Sequence, residues 1–233
     1  NTLHLMVRHG DDCLEPGWKN NMFHSTDDIV IMPLQCGTQW DGLAHVMSRG
    51  KIYNDHSGST VTASGATKNG IEKMKDRAVG RGVLLDIARY RGVPYLEAGQ
   101  PITSDDLDRC ADKQKVEIRK GDFVLIDTGH LARCMKTLDW KTYRSPNGWA
   151  GLDVRTAKWL KDKEVAAGAC DNVTVENNPP VKLGVRWPWH ALVIPNMGLL
   201  VGECFRLEEL SADCARDGIP YRAPSRAAAT VPF

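Results

Sequence analysis

What the chain lacks narrows its class before any motif is read. No apolar run in its 233 residues approaches the ~20 needed for a membrane-spanning helix, and no signal-peptide pattern opens it. Net charge is missing too: 30 Lys and Arg against 29 Asp and Glu leave a formal +1. Without a Lys/Arg block interleaved with aromatics, no nucleic-acid footprint is expected. There is no C-x-x-C pair among the seven cysteines, Cys13, Cys36, Cys110, Cys134, Cys170, Cys204 and Cys214. That odd set argues against a zinc ribbon, a thioredoxin-like motif and a disulfide framework, and leaves reduced thiols in a cytoplasmic protein as the expectation. The expected partner is a small neutral or weakly anionic molecule, with neither nucleic acid nor membrane. Because the chain starts at Asn1 rather than Met, an incomplete amino-terminal segment is expected.

What is present is an alternation of strand and helix signals without repeats. Residues 1–27 are polar and mixed, and read as irregular structure plus one short element. "IVIMPL" (29–34) is an apolar run of strand length ending at a Pro. "SGSTVTASGAT" (57–67) reads as a flexible loop and candidate lid, "GIEKMKDRAVG" as a short helix stopped by Gly80, and "GVLLDIA" (82–88) as a strand. "TSDDLDRCADKQ" (103–114) has a Thr/Ser cap and acidic residues in its first turn, a helix start. "GDFVLIDTG" (121–129) is a strand entering a Gly turn, and "DVRTAKWLKDK" (153–163) has helical spacing. "VAAGAC" (165–170) and "GLLVG" (198–202) are short apolar runs, and "RLEELSADCA" (206–215) is helical. The expectation is one mixed α/β domain over residues 1–233.

The chemistry concentrates in "LQCGTQWDGLAH" (34–45). Gly37 lets the backbone turn and approach a ligand, while Gln35, Gln39 and Asp41 alternate with Cys36 and Trp40 and can project toward one point. Asp41 offers a carboxylate to a cation, and His45 a ligand or general base. On spacing alone the stretch reads equally well as a polar turn. Downstream, in "WPWHALVIPNMGLLVGE", His190 precedes an apolar stretch that closes on Glu203. A carboxylate there is costly unless paired or metal-bound. "ACDNVTVE" places Asp171 and Glu176 just beyond an apolar strand, either as supporting groups of a site or as loop carboxylates. Trp187 and Trp189 flank His190, as pocket wall or as core.

Taken together these segments resemble the cyclase / kynurenine-formamidase-like family of metal-dependent hydrolases, whose signature is H-x-G-T-H-x-D-x-P-x-H. "QCGTQWDGLAH" keeps Gly37, Thr38, Asp41 and His45 at that spacing, with Gln35 and Gln39 where the family has histidines and Leu43 in place of the Pro. "GDFVLIDTG", "GLDVRTAKWLKDKEVAAGACDNVTVE" and the His190…Glu203…"LEEL" close are similar to later family segments, so the resemblance runs from about Asp27 to Asp217.

The resemblance implies a swivelling β/β/α-type domain, homo-oligomeric (dimer or tetramer). It implies a hydrolase that opens a C–N or C–O bond of a small cyclic or aromatic amide, formamide or lactone. It places Gln35, Gln39, Asp41, His190 and Glu203 at metal-ligand positions and His45 as acid/base. Trp40, Asp171, Glu176, Trp187 and Trp189 are expected to support the ligands or line the pocket. Two glutamines in place of histidines remove the ligands that best suit Zn²⁺ and leave an oxygen-rich set suited to Mn²⁺; the expectation is one divalent ion, Mn²⁺ or Zn²⁺, rather than a tight two-zinc pair. Alternatives are a polyketide-type cyclase that polarises a carbonyl, and a non-catalytic binding protein that has lost its metal.

Overall fold

The computed structural model describes residues 2–14, 23–143, 145–178 and 186–217, distributed over two units, Asn1–Gly37 and Thr38–Phe233. In the first unit, β1 (Leu3–Arg8) and β2 (Asp27–Ile31) form an antiparallel ribbon in the register Leu3↔Ile31 to Met6↔Asp28. His4 Nε2 lies 2.6 Å from Asp28 Oδ2 across the ribbon. The expected strand 29–34 is therefore shifted toward the amino terminus. Past Ile31 the chain reaches Pro33, whose missing N–H cannot continue a ladder, and turns through the short 3₁₀ segment Leu34–Cys36.

The second unit begins with β3 (Gln39–Asp41). Two small hairpins follow, β4 (Lys51–Ile52) with β5 (His56–Ser57) and β6 (Val61–Thr62) with β7 (Gly65–Ala66), so the expected loop 57–67 is locally paired. The expected helix before Gly80 is only a 3₁₀ turn, Ile71–Met74. β8 (Gly82–Asp86) stops earlier than its apolar run, because the Asp86 carboxylate accepts the Arg89 N–H and starts α1 (Ile87–Tyr90).

Then come β9 (Pro101–Ile102), α2 (Ser104–Lys113), β10 (Phe123–Asp127), α3 (His130–Thr137) and β11 (Gly151–Leu152). α4 (Thr156–Asp162), β12 (Ala167–Cys170), α5 (Pro188–Met197), β13 (Leu200–Glu203) and α6 (Glu208–Asp217) complete the series. α2 starts where its capping signal lies: Thr103 and Asp106 exchange side-chain-to-backbone hydrogen bonds in a capping box.

The main sheet has the order β3-β13-β12-β10-β8. β8, β10, β12 and β13 run parallel, and β3 adds antiparallel at the edge. Parallel strands covered on both faces are apolar throughout, and Val83, Leu84 and Leu85 are accordingly buried. The core joins this sheet to α2, α4 and α5 through Leu107, Leu160, Trp189, Val193 and Ile194. The mixed α/β class expected from the sequence is the class observed.

Each parallel strand ends on or just before a carboxylate: Asp86, Asp127, Asp171 and Glu203. The carboxyl ends of the strands, where open α/β sheets place their ligands, thus form an acidic rim.

α5 lies inside the run that reads as one apolar stretch in the sequence. Gly198, at φ 72°, closes it. Pro195 supplies no N–H to the Ala191 carbonyl four residues back, and the Asn196 side-chain amide donates to that oxygen at 2.6 Å. The helix is thus able to carry an internal proline.

Candidate metal centre

Three segments that are distant in the sequence converge at the β3 edge. β3 pairs with β13 in the register Gln39↔Glu203 and Asp41↔Val201. Because strand side chains alternate with period 2, Gln39 and Asp41 share a face and Trp40 takes the other. Trp40 packs edge-on against Phe123 and Phe205, ring centroids 5.8 and 5.1 Å away. His190 comes from the first turn of α5.

Asp41, His190 and Glu203 are all buried, and ligand atoms of the three lie within 4.8 Å of one another. His190 Nε2 is 3.3 Å from Glu203 Oε1 and 3.9 Å from Asp41 Oδ2. Gln39 Nε2 donates to Glu203 Oε2 at 2.6 Å, and the Thr38 hydroxyl donates to the Cys204 carbonyl at 2.7 Å. These bonds fasten the end of β13. His45 closes the turn after β3, its N–H donating to the Gly42 carbonyl at 2.9 Å. Its ring Nε2 lies 3.8 Å from Asp41 Oδ1, with 43% of the side chain exposed.

The electrostatics reflect two carboxylates sharing one imidazole. Burial raises the Glu203 carboxyl, and the neighbouring Asp41 charge adds to that, partly offset by His190. Burial works to lower His190, but the hydrogen bonds and charges of Glu176 and Glu203 outweigh it and raise the ring to about 9. A buried pair of carboxylates around an imidazole nitrogen calls for positive charge. Two oxygens and one nitrogen are a donor set that Mn²⁺ or Zn²⁺ accepts. The residues present therefore fit a divalent ion.

The other residues singled out from the sequence lie as follows. Gln35 belongs to the amino-terminal unit, half-buried on the 3₁₀ turn Leu34–Cys36. Trp187 is half-buried, its ring 6.4 Å from that of His190. Trp189 is wholly enclosed and donates its indole N–H to the Thr156 hydroxyl at 3.0 Å. Asp171 accepts from the Thr128 N–H and hydroxyl and from the Leu131 N–H, which commits it to the start of α3. Glu176 Oε1 lies 2.5 Å from His190 Nδ1.

Trp149 and Asn172 drew no notice in the sequence. Trp149 stacks on Trp187 at 6.3 Å and 15°. The Asn172 amide donates to the Ala150 carbonyl, and its oxygen accepts from the Thr174 and Val175 N–H groups. An Asp-Asn pair directly after an apolar strand is a turn former, the one signal that marks Asn172; Trp149 has none.

Fold and site define a class, a mixed α/β protein with a buried two-carboxylate, one-imidazole centre at the carboxyl edge of a parallel sheet. The Cyclase family model matches residues 6–177. A crystal structure described as a novel cyclase matches with TM-score 0.80 and 35% identity, over 95% of this chain and 72% of the other. Isatin hydrolase A from Labrenzia aggregata, bound to benzyl benzoate, matches with TM-score 0.62 and 13% identity, over 89% of this chain and 72% of the other. The isatin hydrolase A of Ralstonia solanacearum matches with TM-score 0.62 and 18% identity, over 89% and 70%. No curated protein matches. The chain belongs to the cyclase family.

Proposed function

We propose that this protein is a metal-dependent hydrolase that opens a C–N or C–O bond in a small cyclic or aromatic amide, formamide or lactone. The observation that carries this reading is the convergence of buried Asp41, His190 and Glu203 within 4.8 Å, with His45 beside Asp41 on the solvent side. Asp41, His190 and Glu203 would hold one divalent ion, Mn²⁺ or Zn²⁺. When bound, such an ion supplies positive charge that polarises a carbonyl and acidifies water.

The chain's own residues do the rest. Gln39 holds Glu203 Oε2 through its amide N–H, which leaves Oε1 on the His190 side. His45, half exposed with its ring 3.8 Å from the Asp41 carboxylate, takes a proton from the attacking water and returns it to the leaving nitrogen or oxygen. Trp187, stacked on Trp149, offers a flat apolar wall to an aromatic substrate.

Metal content of the purified protein, after EDTA treatment and add-back, tests the ion; absence of metal above trace after add-back would defeat the reading. His45→Ala is expected to retain metal and lose turnover by about 100-fold or more, the scale of general acid–base catalysis, and full activity in that variant would remove His45 from its role. Membership of the cyclase family favours a second reading, carbonyl polarisation for ring closure without hydrolysis. A panel of lactones and formamides set against polyketones separates the two.

A further inference from the structure

Glu176 is 1% exposed, and a carboxylate so enclosed must be fully engaged. It accepts three N–H groups from one helix turn: Trp189 N at 3.1 Å, His190 N at 3.3 Å and His190 Nδ1 at 2.5 Å. The start of α5 needs this acceptor. Trp187, in the N-cap position, lies in the left-handed region at φ 52° and makes no side-chain cap, and Pro188 has no N–H. The first N–H groups that the helix offers are therefore those of Trp189 and His190, and both point at Glu176. A negative charge at that end also suits the helix dipole.

The same carboxylate governs the ring. A carboxylate only accepts, so Nδ1 of His190 carries a proton toward Glu176, and Nε2 is the nitrogen turned toward Asp41 and Glu203, where it would exchange its own proton for a bound ion.

The backbone around Glu176 is built to hold it. Val175, directly before it, is fully buried at φ 59°, a rare conformation for a β-branched residue. Asn172 Oδ1 accepts the Val175 N–H at 2.6 Å, and the Leu152 N–H donates to the Val175 carbonyl at 2.8 Å. The Trp149 indole N–H donates to the Glu176 carbonyl at 3.2 Å. On the other side a side chain on Gly151 would stand 2.5 Å from the Val175 oxygen and 2.6 Å from the Glu176 carbonyl carbon. Strained conformations of this kind persist where the surroundings over-determine them.

We infer that Glu176 is a positioning residue: held by the strained 172–176 turn and the close approach of Gly151, it caps α5 and fixes the His190 ring so that Nε2 faces the metal centre. Where it concerns the ion, the inference rests on the metal reading above. A glutamine cannot replace it, because its amide sets a donor against one of the converging N–H groups.

The test is Zn²⁺ binding by calorimetry to the unchanged protein and to Glu176→Gln, each metal-depleted and shown to be folded by circular dichroism. A positioning role predicts an affinity lower by about 10–100-fold in Glu176→Gln. A capping role alone predicts a lower unfolding temperature with unaltered affinity, so an affinity within about threefold overturns the inference. A second readout is the proton spectrum of the metal-free, ¹⁵N-histidine-labelled unchanged protein, in which the short His190 Nδ1–H···Glu176 bond predicts a far-downfield, slowly exchanging resonance. If Glu176→Gln fails to fold, that resonance decides, its presence supporting the inference and its absence overturning it. If the unchanged protein binds no Zn²⁺, the metal reading fails separately, and the same resonance decides the positioning of His190.

Discussion

Asp127 gives the sharpest quantitative prediction, because its cost can be worked out from its surroundings. It ends β10 in the acidic rim, 6% exposed, accepting from the Gly129 N–H at 2.9 Å and from the Ser211 hydroxyl. Burial and then the Asp171 charge push its carboxyl up to about 7, with Asp86 adding to the effect and the two hydrogen bonds opposing it. In the unfolded chain an Asp titrates near ~3.9. Below that value both states carry the proton and the group is neutral toward stability. Between ~4 and 7 the unfolded state has released its proton and the folded state has not, so stability falls as pH rises. The full difference of about three pKa units corresponds to about 4 kcal/mol. Asp127→Asn keeps an acceptor for Gly129 and a partner for Ser211 without a titrating charge. Urea unfolding of both proteins between pH 4 and 8 should therefore show the variant gaining on the parent by about 2–4 kcal/mol as pH rises to 7, then running parallel. A stability difference that stays constant with pH would refute the reasoning, since it would mean that Asp127 titrates alike in both states.

Two further substitutions probe what holds the site's supports in place. Gly198→Ala should cost about 3 kcal/mol in urea unfolding, because the position is left-handed at φ 72° and an added Cβ meets the Tyr53 ring; a loss below about 1 kcal/mol would show that Tyr53 moves aside freely. Arg81→Met strips a buried carboxylate, Asp122, of its two-point partner at 2.8 and 2.5 Å, with an expected loss of about 3 kcal/mol. Replacing Asp122 by Leu as well should recover part of that loss, and an unchanged unfolding curve in the single variant would contradict it.

Much of the frame was legible in the chain because its causes are local. The capping pattern at Thr103 and Asp106, the apolar run of β8, and the strand, helix and apolar run at β10, α4 and β12 are short-range effects, decided within a few residues, whereas α3 gives no such signal. The spacing of Asp41 to His45 is local in the same way, and the resemblance carried His190 and Glu203. Where short-range signals conflict, the local pattern misplaces the element. Asp86 cut a strand short by capping the next turn, and α5 was hidden in an apolar run that contains Pro195 and is followed directly by a strand. The outward side of α5 carries the exposed Leu192, so little polar face reveals the helical period.

By itself, then, the sequence determined the class of fold, the type of side chains available and the oxygen-rich character that Gln39 gives to its end of the motif. Only the tertiary structure decided which of those side chains meet. The antiparallel placement of β3 against β13 sets Gln39 opposite Glu203, so that the glutamine amide donates to a carboxylate of the site. The same pairing puts Trp40 on the far face with Phe123 and Phe205. Glu176 acquires its meaning only from a contact across the fold, where the strained turn at Val175 brings it onto the first turn of α5. Strand register and helix placement result from burying the whole core at once, and no window of neighbouring residues contains that information.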